Sequence, residues 1–334
     1  MPRTSPSRTR ARRILARRKN EAARRRAPSR PRRARAPDLI DLARQLSEAS
    51  GVSGDESEIR RVVLDSLQGR ADQISVDALG NVLVHRRASG RRAVRIMVAA
   101  HLDEVGLMVV AITSDGMLQF EKVGGVDERY LLGKAVWVGR DHIPGVVGIK
   151  PIHLSGAGEV TRAVPLDLLR IDIGAPSKEA ASQRTRPGDR VSFATSFEVH
   201  GPLLTGKALD DRLGVASLIS LVLDPPGNVE LLAAFTAQEE VGLRGARVAA
   251  FALKPQAALV LDTTPALDLP TRDGSENIAY NTKLGGGPAV YLADRGTLGD
   301  RRLVSLVVEA ARAEGSPSRS VNPEAEPRML RPFT

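Results

Sequence analysis

No cysteine occurs among the 334 residues. Disulfides, zinc–thiolate sites and thiol nucleophiles are therefore excluded, and any metal site must be built from histidine and carboxylates. A cysteine-free chain also fits a reducing cytoplasm, the expected location. No apolar run approaches the ~20 residues that span a bilayer, so no membrane partner is expected. There is no Gly-x-Ser-x-Gly nucleophile elbow, which with the lack of cysteine disfavours a serine or cysteine hydrolase. Gly285-Gly286-Gly287-Pro288 is followed by no Lys-Ser/Thr and reads as a turn rather than a phosphate loop. Histidine is scarce, with five residues at 85, 101, 142, 153 and 200.

Charge is abundant but unevenly placed. The net +10 arises from residues 1–36, which carry 15 Arg and Lys against the single acid Glu21. The remainder is net acidic. That Arg-rich segment has no apolar periodicity and is expected to be disordered. It also lacks the apolar core of a secretory signal. Three readings compete for it: electrostatic binding of nucleic acid or another polyanion, an Arg-rich transit peptide, or translation from a start codon placed too early in GC-rich DNA. No aromatic residue accompanies the charges, so nucleic acid is an unlikely partner except through this tail.

Beyond the tail the chain is long enough for one large or two modest domains with a sizeable core. A helix is expected from Asp38, with Leu39, Leu42, Ala43 and Leu46 on one side. After the Gly51–Gly54 turn comes a second, with Ser53 and Glu56 at capping-box spacing and Ile59, Val62, Val63 and Leu67 as its stripe. Strands are expected near 73–77 and 81–85. Val94 to Ala100, Val229 to Thr236 and Ala257 to Leu261 read as buried central strands. Leu209 to Leu223 reads as a helix between them. Strand–helix alternation argues for an α/β sheet domain, parts of which cover 37–108 and 202–314. Between lies a small inserted β domain at 109–201, marked by short alternating segments at 117–122, 135–138, 146–149 and 191–193 that Gly and Pro interrupt.

The polar residues following the buried strands form a pattern. His101, Asp103 and Glu104 follow the first, Glu239 and Glu240 the second, and Asp262 the third. Asp210 and Asp211 open the helix. Open α/β sheets bind ligands at the carboxyl ends of their strands. So many acids beside one histidine require cations, and a pair of divalent ions (Zn²⁺, Co²⁺ or Mn²⁺) would share a bridging carboxylate. In His-x-Asp both side chains leave the strand on one side, so His101 can bind metal while Asp103 holds its other ring nitrogen. Each motif alone is commonplace: an Asp-Asp pair is usually a helix cap and a Glu-Glu pair a solvated face. Their joint order is not.

The strings VAAHLDEVGLM at 98–108, GKALDDR at 206–212 and QEEVGLRGA at 238–246 resemble the tetrahedral, glutamyl-aminopeptidase family of dinuclear metallopeptidases. Supporting matches are GVSG at 51–54, DALGN at 77–81, VGG at 123–125 and IDIG at 171–174. Some family members carry cellulase or endoglucanase labels, which fit poorly with a cluster built for ions. The resemblance spans about 38–315. It implies a mixed-sheet α/β catalytic domain with an inserted β-barrel-like domain, and assembly into dodecamers built from dimers. Asp210 would bridge two metals, His101 and Asp262 would complete one site, and Glu240 would serve the other. Glu239 would be the general base acting on peptide substrates, with Asp103 orienting His101. A deacylase using the same metals, or a non-catalytic polyanion-binding remnant, are the alternatives.

One departure stands out. The family completes its second metal site with a histidine after a Gly-Gly-Thr-Asp-like loop, and here no histidine follows Asp262. His153 matches a family position in the inserted domain without local chemistry that makes it a ligand. Residues 315–334 match nothing in the family, yet a shifted reading frame permits Gly-Gly-Thr-Ala-Asp-Ala-Ser-Ala-Ile-His. A frameshift near Gly315 and an aberrant C-terminus are therefore expected, along with little or no aminopeptidase activity in the chain as it stands.

Overall fold

The computed structural model describes residues 38–90, 93–149, 164–266, 268, 282–294 and 296–315, with the backbone of 319–321. The Arg-rich segment 1–36, His153 and everything after 321 lie outside the described residues.

Helix α1 (Leu39–Glu48) buries Leu42, Ala43 and Leu46, and α2 (Ser57–Leu67) buries Ile59, Val63 and Leu67. Each fully buried leucine contributes about 1.5–3 kcal/mol, so these stripes pin both helices to the sheet. The capping box expected from Ser53 and Glu56 does not form. Glu56 occupies the N-cap without a side-chain bond to the helix. Its carboxylate accepts the Gly54 N–H at 2.7 Å, while the Ser53 hydroxyl is engaged by Asp103. Strands β1 (Gln73–Val76) and β2 (Val82–Arg86) pair antiparallel, and β3 (Val94–His101) follows.

The chain then leaves the sheet for a closed six-stranded barrel. Its strands are β4 (Gly106–Ile112), β5 (Leu118–Val123), β6 (Ala135–Val138), β7 (Ile143–Gly148), β8 (Arg170–Asp172) and β9 (Arg190–Phe193), in the order β4-β5-β8-β7-β6-β9. Closure comes from β4 pairing with β9, Leu107 opposite Val191. The short helix α3 (Lys178–Ser182) precedes β9. The alternation that marked these segments fills the interior with Leu107, Val109, Leu118, Phe120, Val136, Val138, Val147, Ile171 and Val191. A barrel leaves no free edge, so its strands need no further cover against pairing with another chain.

A hairpin, β10 (Glu198–His200) and β11 (Leu203–Thr205), returns the chain to the sheet. There follow α4 (Leu209–Leu223), β12 (Val229–Thr236), α5 (Arg244–Leu253) and β13 (Ala257–Val260). The sheet is mixed, ordered β1-β2-β12-β3-β13, with β12, β3 and β13 parallel and β2 antiparallel to β12. Successive residues of β3 and β12 alternate between two cores. Val98, Ala100, Leu231, Ala233 and Phe235 face α1, α2 and α4, and Met97, Ala99, Leu232 and Ala234 face α5 through Ala249. Both faces being covered explains why these strands read as unbroken apolar runs.

Last come β14 (Ala289–Tyr291), α6 (Arg301–Ala313) and β15 (Arg319–Val321), with β14 and β15 paired in parallel. The segment after Gly315 thus contains a paired strand before the described residues end. Helix α6 contributes no buried residue. Among the described residues no helix is long and apolar enough to cross a membrane.

Candidate metal centre

Register places the candidate residues on one sheet edge. Thr236, the last residue of β12, lies opposite His101, the last of β3. Val260 lies opposite Ala99, and the Leu261 N–H donates to the Ala99 carbonyl at 2.8 Å, which brings Asp262 level with His101. Glu239 and Glu240 follow β12 by three and four residues. The fourth contribution comes from the start of α4, where Asp210 (φ −81°, ψ 110°) and Asp211 (φ −115°, ψ 37°) form a non-helical kink.

His101 is the hub, with its side chain 4% exposed. Its Nε2 lies 3.1 Å from Asp210 Oδ1, 3.8 Å from Asp262 Oδ1 and 4.0 Å from Glu239 Oε2. Its Nδ1 is 3.1 Å from the Asp103 backbone carbonyl and 3.5 Å from the Asp103 carboxylate. Asp103 thus sits against the ring, with its carbonyl as the nearer partner. The carboxylate is occupied elsewhere. Oδ1 accepts the Glu239 N–H at 2.9 Å, and Oδ2 accepts the Ser53 hydroxyl at 2.6 Å and the Glu240 N–H at 3.1 Å.

The two aspartates at the α4 entry divide the work. Asp211 is fully buried; one oxygen accepts the His101 N–H at 3.1 Å and the other the Gly214 N–H at 3.1 Å. The second bond is an N-cap, so the ordinary explanation of an Asp-Asp pair holds for this member. Gly214 is required there, because a Cβ would collide with the Asp211 carboxylate. One donor atom each from His101, Asp211 and Asp262 come within 4.8 Å of one another, a grouping that could hold a metal ion. With both Asp211 oxygens bonded to backbone, the half-exposed Asp210 is the freer ligand beside His101.

Two further residues shape the site. Asn81 accepts the Ala237 N–H at 2.8 Å and donates to the Gly245 carbonyl at 3.2 Å, clamping both ends of the loop that carries Glu239 and Glu240. Gly124, with φ 81°, brings the end of β5 against Glu240, its hypothetical Cβ only 3.2 Å from the Glu240 Cβ. Neither role was evident from sequence. DALGN and VGG stood out only as strings, because hydrogen bonds between residues 156 positions apart leave no local pattern.

Electrostatics follow from crowding. Burial disfavours a charged His101, but Asp103 and Asp210 override it and push its pKa up to about 11. Burial raises Asp211 to about 8, and burial with the Asp210 charge raises Asp262 to about 6. Glu240 rises to about 7 through burial, then through Asp210 and Glu239, and Glu239 is raised by burial. Burial opposes ionisation of Asp103 and Asp210, yet hydrogen bonds, His101 foremost, keep both below the usual range. The centre holds more negative charge than one imidazolium can balance. A set of one imidazole and several carboxylates is the donor chemistry that Zn²⁺, Co²⁺ and Mn²⁺ accept, so the residues fit divalent ions.

Residues 80–322 match the M42 glutamyl aminopeptidase family. The match runs seven residues beyond Gly315, where the resemblance read from the sequence stopped. The chain is 35% identical over 231 residues to a lysyl aminopeptidase of Pyrococcus furiosus, covering 67% of this chain and 66% of that one. It is 31% identical over 270 residues to a glutamyl aminopeptidase of Lactococcus lactis, covering 78% and 74%. The TET1 peptidase of Pyrococcus horikoshii, described as assembling into a tetrahedron or a large octahedral shell, superposes with a TM-score of 0.75. There the identity is 35%, over 85% of this chain and 84% of that one.

Proposed function

The chain belongs to the M42 glutamyl aminopeptidase family, and from that premise we propose that it removes N-terminal residues from peptides at a centre built for two divalent ions. One observation carries this reading: Asp210, Glu239 and Asp262 all lie within 4.0 Å of His101 Nε2, although they come from separate elements. Asp210 would be shared between the ions, with His101 and Asp262 completing one position and Glu240 the other. When bound, the ions supply the positive charge that activates water and polarises the scissile carbonyl. Zinc or cobalt suits the donors best, with manganese as an alternative.

Glu239 holds and moves the proton. Burial lifts its pKa, which brings a carboxylate closer to the range of a base at neutral pH. It takes the proton of the attacking water and returns it to the leaving amine. Asp103 fixes the His101 ring through its carbonyl, and Asp211 holds the backbone beneath it. Among the residues assigned to the two positions, His101 is the one imidazole and the rest are carboxylates. Likeness to the shell-forming TET1 peptidase supports a homo-oligomer.

The test is calorimetric titration of the purified, chelator-treated chain with Co²⁺, alongside a panel of free and N-acylated peptides and amino-acid p-nitroanilides. Co²⁺ binding is expected, with metal-dependent release of N-terminal residues from unblocked substrates only. Glu239→Gln should bind Co²⁺ normally and lose turnover by about 10²–10⁴-fold. Chelator-resistant activity, or a preference for N-acyl substrates, would overturn the aminopeptidase reading.

A further inference from the structure

The loop carrying Glu239 and Glu240 has its backbone held by the Asp103 side chain, which Ser53 holds in turn, and Ser53 is tied to the barrel. Asp103 is 0% exposed and Ser53 3% exposed, so each polar atom there needs a protein partner. The Ser53 hydroxyl donates to Asp103 Oδ2 at 2.6 Å, the shortest bond that carboxylate receives. Oδ2 then accepts the Glu240 N–H, and Oδ1 the Glu239 N–H. On the other side of Ser53, Arg190 of barrel strand β9 donates from Nε to the Ser53 carbonyl at 3.0 Å. The guanidinium lies over the turn at Gly54, whose hypothetical Cβ would be 3.1 Å from Arg190 Nη2. Ser50 and Ser192, hydroxyl to hydroxyl at 2.8 Å, reinforce the same seam.

We propose that Ser53 is a positioning residue which sets the Glu239–Glu240 backbone through Asp103, while Arg190 ties that setting to the barrel. The functional reading above enters only in saying what Glu239 and Glu240 then do. A capping serine would have bonded to α2, as the spacing with Glu56 predicted. Ser53 instead turns inward to a carboxylate whose remaining capacity holds two consecutive amides. The barrel is thereby part of the scaffold of the centre, and a shift at the seam moves the candidate base and ligand together.

The experiment is hydrogen–deuterium exchange of the full, metal-free chain, read at the peptide covering 237–243, for Ser53→Ala, Ser53→Thr and Arg190→Met. Exchange there should quicken about tenfold in Ser53→Ala, return to the parent rate in Ser53→Thr, and quicken less in Arg190→Met. Thermal unfolding of the same samples separates local from global loosening. Co²⁺ affinity should fall about tenfold in Ser53→Ala and recover in Ser53→Thr. Unchanged exchange in Ser53→Ala, or no recovery with threonine, overturns the proposal. Should Ser53→Ala not fold, an unchanged rate in Arg190→Met overturns it equally. If the parent binds no Co²⁺ while the exchange pattern holds, the functional reading fails and the positioning role stands.

Discussion

Two buried clusters of charge lie back to back in this protein, and they solve the same problem differently. The first is a knot of Glu104, Lys207 and Arg212, which are 2%, 7% and 0% exposed. Lys207 Nζ lies 2.8 Å from Glu104 Oε1, and Arg212 Nη2 lies 3.3 Å from the same oxygen. Its surplus positive charge is met by carbonyls at the end of α1. Lys207 and Arg212 both donate to Ala49, at 2.8 and 2.9 Å, and Arg212 also to Leu46. A helix C-terminus is the negative end of its dipole, so the knot's charge is met within the fold, although the buried Arg212 Nε finds no hydrogen-bond partner. The second cluster surrounds His101 and is made from the neighbouring residues Asp103, Asp210 and Asp211. It has no such resource: hydrogen bonds to His101 keep Asp103 and Asp210 ionised, while burial lifts Asp211, Glu240 and Asp262 so that they hold protons more readily. Adjacent residues of the same strings thus build a self-sufficient knot and a centre that needs cations.

Removing an anion should therefore act with opposite signs in the two places. Glu104→Gln leaves two cations buried without their counter-charge, and breaking such a pair costs about 3–5 kcal/mol. Urea denaturation of the metal-free protein measures it. A loss below about 1 kcal/mol would mean that the knot behaves like an exposed ion pair and that the comparison is false. The next effect is smaller and reversed. Asp262→Asn removes a carboxylate that Asp210 already disfavours, so the metal-free protein should become slightly more stable while Co²⁺ affinity falls at least tenfold. Destabilisation of the metal-free form would show that Asp262 supports the fold, contrary to a site strained by its own charge.

What the sequence disclosed follows from the range of the forces involved. Strands β3 and β12 were legible because burial on both faces leaves a continuous apolar run, and strand ends follow directly. The apolar pattern alone therefore puts His101, Glu239, Glu240 and Asp262 on one edge. The barrel was legible as short alternating segments but not in its closure, which depends on Leu107 of β4 meeting Val191 of β9, far along the chain. The knot was invisible, since Glu104 pairs with partners 103 and 108 positions away. Ser53 was misread because local spacing predicted a cap and a distant carboxylate competed for the hydroxyl. Asp210 and Asp211 were recognised as a pair, but only backbone geometry separates the exposed carboxylate from the one that caps α4. Helix α6, which no expectation from the sequence covered, has an amphipathic pattern yet buries no residue.

The smallest expected effect is a pH dependence, and its sign discriminates between the clusters. Folded Asp262, Glu240 and Asp211 hold their protons to about 6, 7 and 8, while an unfolded carboxylate loses its proton near 4. Between those limits the folded form binds more protons, so stability falls as pH rises. His101, raised to about 11, acts in the same direction: its contribution is complete below about 6.5 and fades above. Asp103 and Asp210, held low, have the opposite sign, but their stabilisation is lost only below about pH 4. The chelated protein should therefore show a Tm that declines by several degrees from pH 5 to 8. Divalent ions need the same groups deprotonated, so their stabilisation grows over that interval and the gap between Co²⁺-loaded and chelated samples widens. A flat profile in chelator would mean that the acids around His101 are not competing for charge. The contrast with the self-balanced knot would then vanish.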